Sequence, residues 1–321
     1  MVSRAASGAG GSSKVVIRGL NSLQGNSQPL YVVDGVPLNN GNMNPADRWG
    51  GIDYGDGIAN IDPNDVESIS ILKGPNAAAL YGQQGANGVV LITTKTGKSK
   101  KGLGIRVASD YTVGTAAVLP DFQDMYGQGL NGKFTHFRNS ADGKIYGYDA
   151  AITAGYTGTP KSSAGRHRLT RGSWGALMSG QDFEDQWGKK GKFLAQPGTY
   201  ETFFDNETQL NNTINLDGGN ENVNYYFSYS NYSSSGYIPT NKLARNSFTA
   251  RTVAKLMPKL NLDVKMSYVA QTANNRPTLS DAADNPAYLF ISQPRSISME
   301  SLSNYSWTDP EILGQLGYSS A

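Results

Sequence analysis

Residues 29–95 contain, in this order, the blocks Pro29-Leu30-Tyr31-Val32-Val33-Asp34-Gly35-Val36-Pro37, Ile61-Asp62-Pro63-Asn64-Asp65-Val66-Glu67-Ser68-Ile69, Leu72-Lys73-Gly74-Pro75 and Ala77-Ala78-Ala79-Leu80-Tyr81-Gly82-Gln83-Gln84-Gly85-Ala86-Asn87-Gly88-Val89-Val90-Leu91-Ile92-Thr93-Thr94-Lys95. Short apolar runs bounded by Gly, Pro and Asn predict buried strands. These predicted strands lie at 15–17, 30–33, 68–72 and 88–94. With the helix signals between them, they predict a compact α+β unit.

Turn and helix signals separate the predicted strands. Asp34-Gly35 follows the second strand directly and predicts a turn. Asp62-Pro63 predicts a helix start, because an aspartate accepts hydrogen bonds from free backbone N–H groups and proline fits the first helical position. A short helix over 77–81 is predicted, with Asn76 as its cap and Gly82 as its end.

From Leu103 onward, apolar and polar residues alternate in five segments of roughly ten residues each. The segments are 103–113, 210–216, 223–229, 248–256 and 260–268. A period of two places one set of side chains on each face of a strand. One face is apolar and the other strongly polar, which fits the strands of a soluble sandwich or of a transmembrane barrel.

The lengths of the connections favour the barrel. Residues 217–222 and 257–258 are short connections, whereas 114–207 and the tail after 270 are long. Outer-membrane barrels alternate short periplasmic turns with long outer loops in this way. Within the long loop, short helices are predicted at 120–126 and 181–187, because a structureless connection of this length is uncommon in a compact domain.

Aromatic residues on and near the alternating segments are predicted to form an interfacial girdle. They are Tyr225, Tyr226, Phe227, Tyr229, Tyr232 and Tyr237.

Composition excludes several classes of function. The 321 residues carry a formal net charge of +2, which gives no electrostatic case for nucleic acid as a partner. Cysteine is absent from the chain, so disulfides and thiolate metal sites are excluded. No run of apolar residues is long enough for a membrane-spanning helix, and residues 1–13 lack the apolar core of a signal peptide.

The blocks between Pro29 and Lys95, in their order, resemble the plug domain of TonB-dependent outer-membrane transporters, and within that group the SusC/RagA family of nutrient importers. The resemblance predicts an α+β plug domain followed by antiparallel β-strands of a transmembrane β-barrel that is incomplete in this chain. The predicted domains are the plug at 14–97, a basic linker at 98–101 and the N-terminal part of the barrel at 102–321, with the outer loop at 114–207. Residues 1–13 are interpreted as a remnant of the plug start or an N-terminus without a leader.

The resemblance implies gated import across the outer membrane, without an enzyme activity and without a cofactor. Its expected partners are a SusD-like surface lipoprotein as a lid, TonB, outer-membrane lipid, and a glycan or peptide substrate. We expect the chain to be a fragment of a longer protein and to lack the TonB-contacting segment. Two alternatives stay open: a siderophore-type TonB-dependent receptor without a lid, and a soluble β-rich binding module or adhesin.

The candidate substrate-facing residues lie in the loop at 39–60, which is rich in Gly, Asn and Asp. The resemblance implies that plug loops facing outward form the floor of the substrate cavity, where an exposed aromatic ring stacks on a sugar or packs on a peptide. The candidates are Trp49, Tyr54, Asp53 and Asp56. The alternative for both rings is simple packing against the barrel wall. Asp53 to Gly57 also suggests a calcium loop, but it lacks the regular oxygen ligands and the distal glutamate of an EF-hand.

Two motifs suggest a serine acyl-enzyme. Ser70 and Lys73 fit S-x-x-K, and Lys95-Thr96-Gly97 fits K-T-G. In such enzymes the serine and lysine lie one turn apart on a helix. Here Ser70 lies in a predicted strand, where residues three apart point to opposite faces. The two histidines, His136 and His167, show no ligand-like spacing to carboxylates.

Overall fold

The computed structural model describes residues 2–4, 8–17, 27–41, 47–73, 75–97, 102–115, 119–128, 137–138, 145–146, 173–184, 190–282 and 285–299. The chain divides into two compact units, of which the first comprises 1–115 with 205–285 and the second 116–204 with 286–321. Both histidines and the predicted linker at 98–101 lie outside the described residues.

Residues 8–97, here called the plug region, contain a four-stranded sheet in the order β4-β3-β6-β5. Its strands are β3 (Leu30–Val33), β4 (Val36–Leu38), β5 (Val66–Leu72) and β6 (Val89–Thr94). Strand β3 pairs in parallel with β6, and the other two pairs are antiparallel. The predicted turn is confirmed: Asp34 and Gly35 join β3 to β4 with φ of 48° and 85°, values that suit a two-residue hairpin turn.

Short helices connect these strands. The 3₁₀ turn Pro63–Asp65 starts at Asp62, whose carboxylate accepts from Asn64 N at 2.8 Å, as the Asp-Pro pair predicts. Two other 3₁₀ turns are Gly57–Asn60 and Gly82–Gly85. Helix α1 spans Pro75–Tyr81, so the prediction that Asn76 caps it is wrong. The helix begins at Pro75, two residues before the predicted start, because proline itself suits the first turn.

The plug region buries a small apolar core on each face of its sheet. On one face Tyr31, Val90 and Ile92 are buried. On the other face Val32 and Val89 pack with Ala77 of α1.

The segment before the sheet differs from the prediction. Strands β1 (Val2–Arg4) and β2 (Ser13–Val15) form a separate antiparallel pair, so the predicted strand at 15–17 begins and ends two residues earlier. Ser13 sets this position because its backbone N–H and its hydroxyl both donate to Asp56. Ile17, beyond the strand, still packs against the core that contains Tyr31.

Five long strands form an antiparallel sheet, here called the wall sheet, in the order β15-β14-β13-β12-β7. They are β7 (Gly104–Gly114), β12 (Glu207–Gly219), β13 (Val223–Ser235), β14 (Lys242–Met257) and β15 (Leu260–Asn274). Four of them contain a predicted alternating segment and β7 contains all but the first residue of the segment 103–113, so the five strands are confirmed. Short connections lie at one end of the sheet, at 220–222 and 258–259, and longer ones at the other. Among the described residues β7 and β15 have no further neighbour, so the sheet is open.

The second unit contains small elements from the long connection before β12 and from the segment after β15. They are β8 (Phe137–Arg138), β9 (Ile145–Tyr146), β10 (Asp182–Glu184), β11 (Lys190–Lys192), α2 (Thr199–Phe203) and α3 (Pro286–Ile291). An aromatic cluster joins the two helices, with the rings of Phe203 and Phe290 stacked at 4.0 Å and the ring of Tyr200 edge-on to that of Phe290 at 5.4 Å.

Both loop helices were predicted wrongly. At 120–126 the backbone is irregular, because the Gln123 side chain accepts from the backbone N–H groups of Met125 and Tyr126 in place of helical bonds. At 181–187 the described part forms β10, which pairs with β11. None of the helices in the described part of the chain has the length and apolar character needed to cross a bilayer.

Candidate functional site between the plug region and the wall sheet

The wall sheet exposes its apolar face and buries its polar face. On the outer face Val107 is 72% exposed and Met266 is 59% exposed, while on the inner face Thr213 and Ser230 are each 3% exposed. Ile214 pairs across the strands with Val107, so the outer apolar residues form a continuous band. This is the reverse of a sheet that covers the core of a soluble protein.

Of the residues predicted to form an aromatic girdle, Tyr225, Phe227 and Tyr229 lie on the outer face of the wall sheet. Tyr226 and Tyr232 lie on the inner face, since the period of two separates them from their neighbours. Tyr226 is 2% exposed, and its hydroxyl donates to Asp65 Oδ1 at 2.8 Å.

Plug carboxylates face the polar side chains of the wall sheet. Thr213 Oγ1 donates to Asp62 Oδ2 at 3.0 Å, and Asn64 Nδ2 donates to Thr213 Oγ1 at 3.2 Å. Arg245 Nη1 donates to the carbonyl of Ala59. The plug region therefore contacts the wall sheet through hydrogen bonds to buried or half-buried groups.

A charged cluster joins the β3–β4 turn to β14 and β15. Asp34 accepts from Lys265 Nζ at 2.8 Å and from Arg251 Nη1 at 3.2 Å. Arg251 also binds Asp263 with two hydrogen bonds, at 2.9 and 2.7 Å. Burial alone would raise the pKa of Asp34. Its carboxylate, however, accepts hydrogen bonds from Lys265 and from the N–H and hydroxyl of Thr94, and it lies beside the charge of Lys265. These interactions outweigh burial and lower the pKa to about 2.

A cavity of about 1030 Å³ lies between the plug region and the inner face, toward the end of the wall sheet that has the longer connections. The plug region contributes Gly8, Tyr54–Ile61 and Asn64 to its lining. The wall sheet contributes residues near the same end of its strands, including Gln209 and Gln271. We call this space the outer cavity.

The structure separates the four predicted site residues. Tyr54, which is half exposed, and Asp56 line the outer cavity, whereas Asp53 and Trp49 do not. Asp53 is buried and accepts from the backbone N–H and hydroxyl of Ser12 at 2.8 and 2.6 Å. Trp49 is 73% exposed, with the guanidinium of Arg48 at 5.1 Å from its ring.

Asp53 and Asp56 thus fix Ser12 and the start of β2 at Ser13 to the loop at 53–57. Asp56 also caps the turn Gly57–Asn60 by accepting from Ala59 N at 3.2 Å. Within the described residues no group of three or more His, Cys, Asp and Glu is arranged to hold a metal ion.

The residues of the acyl-enzyme motif do not converge. Ser70 lies within β5, as predicted, and Lys73 follows the end of that strand. Lys95 directs its amine to the carbonyl of Asn64 at 2.5 Å.

Sequence reasoning did not predict that the polar inner face contacts the plug region. The alternation in β12, β13 and β14 identifies the polar residues of the inner face. It does not show that these residues contact the plug region.

Known proteins resemble this chain over its plug region or over most of its length. Residues 1–89 match the TonB-dependent Receptor Plug Domain. TonB-dependent receptor P26 of Formosa agariphila is 28% identical over 265 residues, which are 82% of this chain and 21% of that protein. TonB-dependent receptor SusC of Bacteroides thetaiotaomicron is 36% identical over 90 residues, 28% of this chain and 8% of SusC. The chain therefore spans about a fifth or less of these relatives.

A solved structure of the RagAB peptide importer in its closed-closed state aligns with a TM-score of 0.47 at 20% identity, over 84% of this chain and 27% of that one. Residues 1–89 therefore match the plug domain of TonB-dependent receptors, and a relative that is similar over most of the chain is also a TonB-dependent receptor. More particularly, the similarity to SusC supports a SusC-like receptor within this class.

Proposed function

We propose that this chain is part of a TonB-dependent outer-membrane importer in which the plug region acts as the gate. The reversed polarity of the wall sheet carries the proposal. An apolar outer face suits the hydrocarbon of a bilayer, and a polar inner face suits a filled or hydrated lumen. A soluble adhesin would leave this apolar band in water.

The character of the plug–wall contacts supports a gate. Thr213, Tyr226 and Arg251 reach the plug through hydrogen bonds and an ion pair. Water can replace a hydrogen bond, and one such bond contributes only about 0.5–1.5 kcal/mol net. A plug held in this way can move when it is pulled without exposing a large apolar surface.

The position of the outer cavity supports a substrate site above the gate. In outer-membrane barrels the long connections lie outside the cell, so the cavity faces outward and the plug residues Tyr54–Ile61 form its floor. Tyr54 and Asp56 belong to this floor, and Trp49 and Asp53 belong to the loop that supports it.

The partners follow from the assignment to the SusC-like receptors. We infer a SusD-like surface lipoprotein as the lid, TonB as the source of force, and a glycan or a peptide as the solute.

Cross-linking the plug region to the wall tests the gate. The chain contains no cysteine, so Asp62→Cys with Thr213→Cys introduces a defined pair where the two side chains are in contact. The receptor is produced from its complete genomic reading frame in cells with and without TonB. Uptake of fluorescent oligosaccharides and peptides is followed before and after bridging with a reversible methanethiosulfonate reagent.

Bridging is expected to stop TonB-dependent uptake, and reductant is expected to restore it. A matched control places the cysteines at Asn215 and Ser228, which face each other within the wall sheet. Bridging that pair is expected to leave uptake intact. Uptake that continues through the bridged plug–wall pair, or that needs no TonB, contradicts the proposal. Purification without an accompanying lipoprotein would favour a siderophore-type receptor.

A further inference from the structure

The chain leaves the wall sheet directly after β15. The last residue pair between β14 and β15 is Lys242 with Asn274. Asn275 still contacts the sheet, because its carbonyl accepts from Asn241 Nδ2 at 3.3 Å. Residues 276–282 follow, at the end of the wall sheet that has the longer connections. We call them the outer segment.

The outer segment pairs with the loop at 48–53 of the plug region in the manner of an antiparallel strand. Ile52 and Thr278 form an antiparallel bridge. Beside this pair, Leu279 N donates to the Gly51 carbonyl at 3.0 Å. The outer segment therefore continues the wall chain in sequence but is bonded to the plug region through its backbone.

The pairing extends further along the same loop. Asp281 N donates to the Arg48 carbonyl at 3.2 Å. Ala282 is 6% exposed, and a Cβ added to Gly50 would lie 3.0 Å from its Cβ. The φ of Gly50 is 139°, a value that favours glycine. The two backbones can approach this closely because the plug residue has no side chain.

Arg276 joins the start of the outer segment to two separate stretches of the plug region. Its Nη1 donates to the Gly10 carbonyl at 3.0 Å and to the Asp53 carbonyl at 2.7 Å. Gly10 precedes β2, and Asp53 itself holds Ser12 through two hydrogen bonds. Hydrogen bonds from a charged donor are stronger than those between neutral groups, so this contact reinforces the backbone pairing.

A displacement of the plug region has two possible effects on the outer segment. It can break the four hydrogen bonds described above, or it can turn the chain at Asn275 and leave those bonds intact. Asn275 is exposed and has a φ of 49°. Hinges are formed by a few loop or element-terminal residues that absorb a change of φ and ψ. Turning at this residue therefore requires less free energy than breaking the pairing.

We propose that the outer segment belongs mechanically to the plug region and not to the wall sheet. It moves with the plug when the gate opens, and it carries that movement into the connection between β15 and α3. The inference rests on the proposed gate and adds to it an output at the outer end of the wall sheet. The bridge between Ile52 and Thr278 is the point at which this output can be tested.

A disulfide between Ile52→Cys and Thr278→Cys tests whether the two stretches move together. Facing residues of an antiparallel pair have Cα atoms about 4.5–5.5 Å apart, which a disulfide can span. The matched pair is Ala59→Cys with Arg245→Cys, which joins the plug region to the wall sheet and is bridged with a reversible methanethiosulfonate reagent. Uptake of fluorescent solutes by the receptor from the complete reading frame is measured before bridging, after bridging and after reduction.

The disulfide is expected to leave TonB-dependent uptake unchanged, whereas bridging the matched pair is expected to stop it until reductant is added. Uptake by each reduced variant shows that the variant folds.

Thiol labelling during import gives a second readout. Ala282→Cys lies against Gly50 of the plug region, and Thr213→Cys lies on the wall sheet beneath Asp62. A maleimide is applied to cells with and without TonB. TonB is expected to speed the labelling of Thr213→Cys, because the plug uncovers it. It is expected to leave the labelling of Ala282→Cys unchanged, because the outer segment stays with the plug.

The inference is overturned if the disulfide stops uptake, if TonB speeds the labelling of Ala282→Cys, or if bridging Ala59→Cys to Arg245→Cys leaves uptake intact. Failure of the gate is recognised separately. If the labelling of Thr213→Cys does not depend on TonB, the gate fails and the inference fails with it. If that labelling depends on TonB and the disulfide stops uptake, the gate stands and the outer segment belongs to the wall.

Discussion

Replacing Asp34 with asparagine removes the negative charge that joins the plug region to β14 and β15. Asparagine tolerates the positive φ of 48° at this position, so the substitution leaves the turn unstrained. Its amide oxygen can still accept from Thr94 N, which donates to Asp34 Oδ1 at 2.8 Å. The loss therefore falls on the charged contacts with Lys265 and Arg251.

The size of the effect follows from the pKa of Asp34, which falls from 3.8 to about 2 in the folded protein. One pKa unit corresponds to about 1.4 kcal/mol, so the ionised carboxylate stabilises the folded state by about 2 kcal/mol. Because the folded pKa is lowered, this contribution is complete above about pH 4 and is lost as the pH falls from about 4 to about 2.

Pulse proteolysis in increasing urea measures this effect, with thermolysin at pH 7 and pepsin at pH 2–4. At pH 7 Asp34→Asn is expected to lower the free energy of plug unfolding by about 2 kcal/mol, and the difference is expected to shrink toward zero near pH 2. Glu67→Gln, at an exposed carboxylate of β5, is the control and is expected to change stability by less than about 0.5 kcal/mol. The reasoning is refuted if Asp34→Asn lowers the free energy of unfolding by less than about 0.5 kcal/mol at pH 7. It is also refuted if the loss of free energy stays constant from pH 5 to pH 2.

Three further substitutions test other parts of the structure. Tyr226→Phe leaves the buried Asp65 carboxylate without its hydroxyl donor, so it is expected to lower the free energy of unfolding in urea by about 1.5–3 kcal/mol. Tyr229→Phe, at an exposed ring, is expected to lower it by less than about 0.5 kcal/mol. Equal losses for the two variants would contradict this account. Met266→Arg, near the middle of the outer face, is expected to reduce the stability of the receptor in lipid vesicles by about 2–4 kcal/mol, against about 0–1 kcal/mol for Leu260→Arg at the strand end. A smaller effect at the middle than at the end would show that this face does not meet lipid. Gly97→Ala is expected to lower the thermal midpoint of unfolding by several degrees. The φ of Gly97 is 79°, and an added Cβ would collide with the backbone of Tyr225 in β13. An unchanged midpoint would exclude a tight contact there.

Local signals account for most of the fold. The alternation at 223–229 and 260–268 predicted β13 and β15 because a period of two is a property of adjacent residues. The Asp34-Gly35 turn and the start at Asp62-Pro63 were likewise encoded within two residues. Where the local signals were weaker, as in the long loop, side chain–backbone bonds and pairing between short strands decided the structure.

The site was only partly predictable because its contacts join distant parts of the chain. Tyr54 and Asp56 were predicted from the resemblance to plug loops, and both line the outer cavity. The partners of Asp53 lie 41 residues away, and Thr213 lies 151 residues from Asp62. No pattern in neighbouring residues reports such pairs. Arg245 lies outside the predicted alternating segment at 248–256, so its contact with Ala59 could not be predicted from the sequence.

If the plug region acts as the proposed gate, its polar interface with the wall sheet would make that gate both specific and releasable. Asp34, Asp62 and Asp65 each meet donors from the wall sheet at defined positions, which fixes one arrangement of the plug region. Opening an apolar interface would cost about 25 cal/mol of free energy for every Å² of apolar surface exposed to water. Hydrogen bonds lost on opening are instead largely replaced by bonds to water. A force on the plug therefore has to overcome a few bonds at a time, and the same bonds can re-form when the force ends.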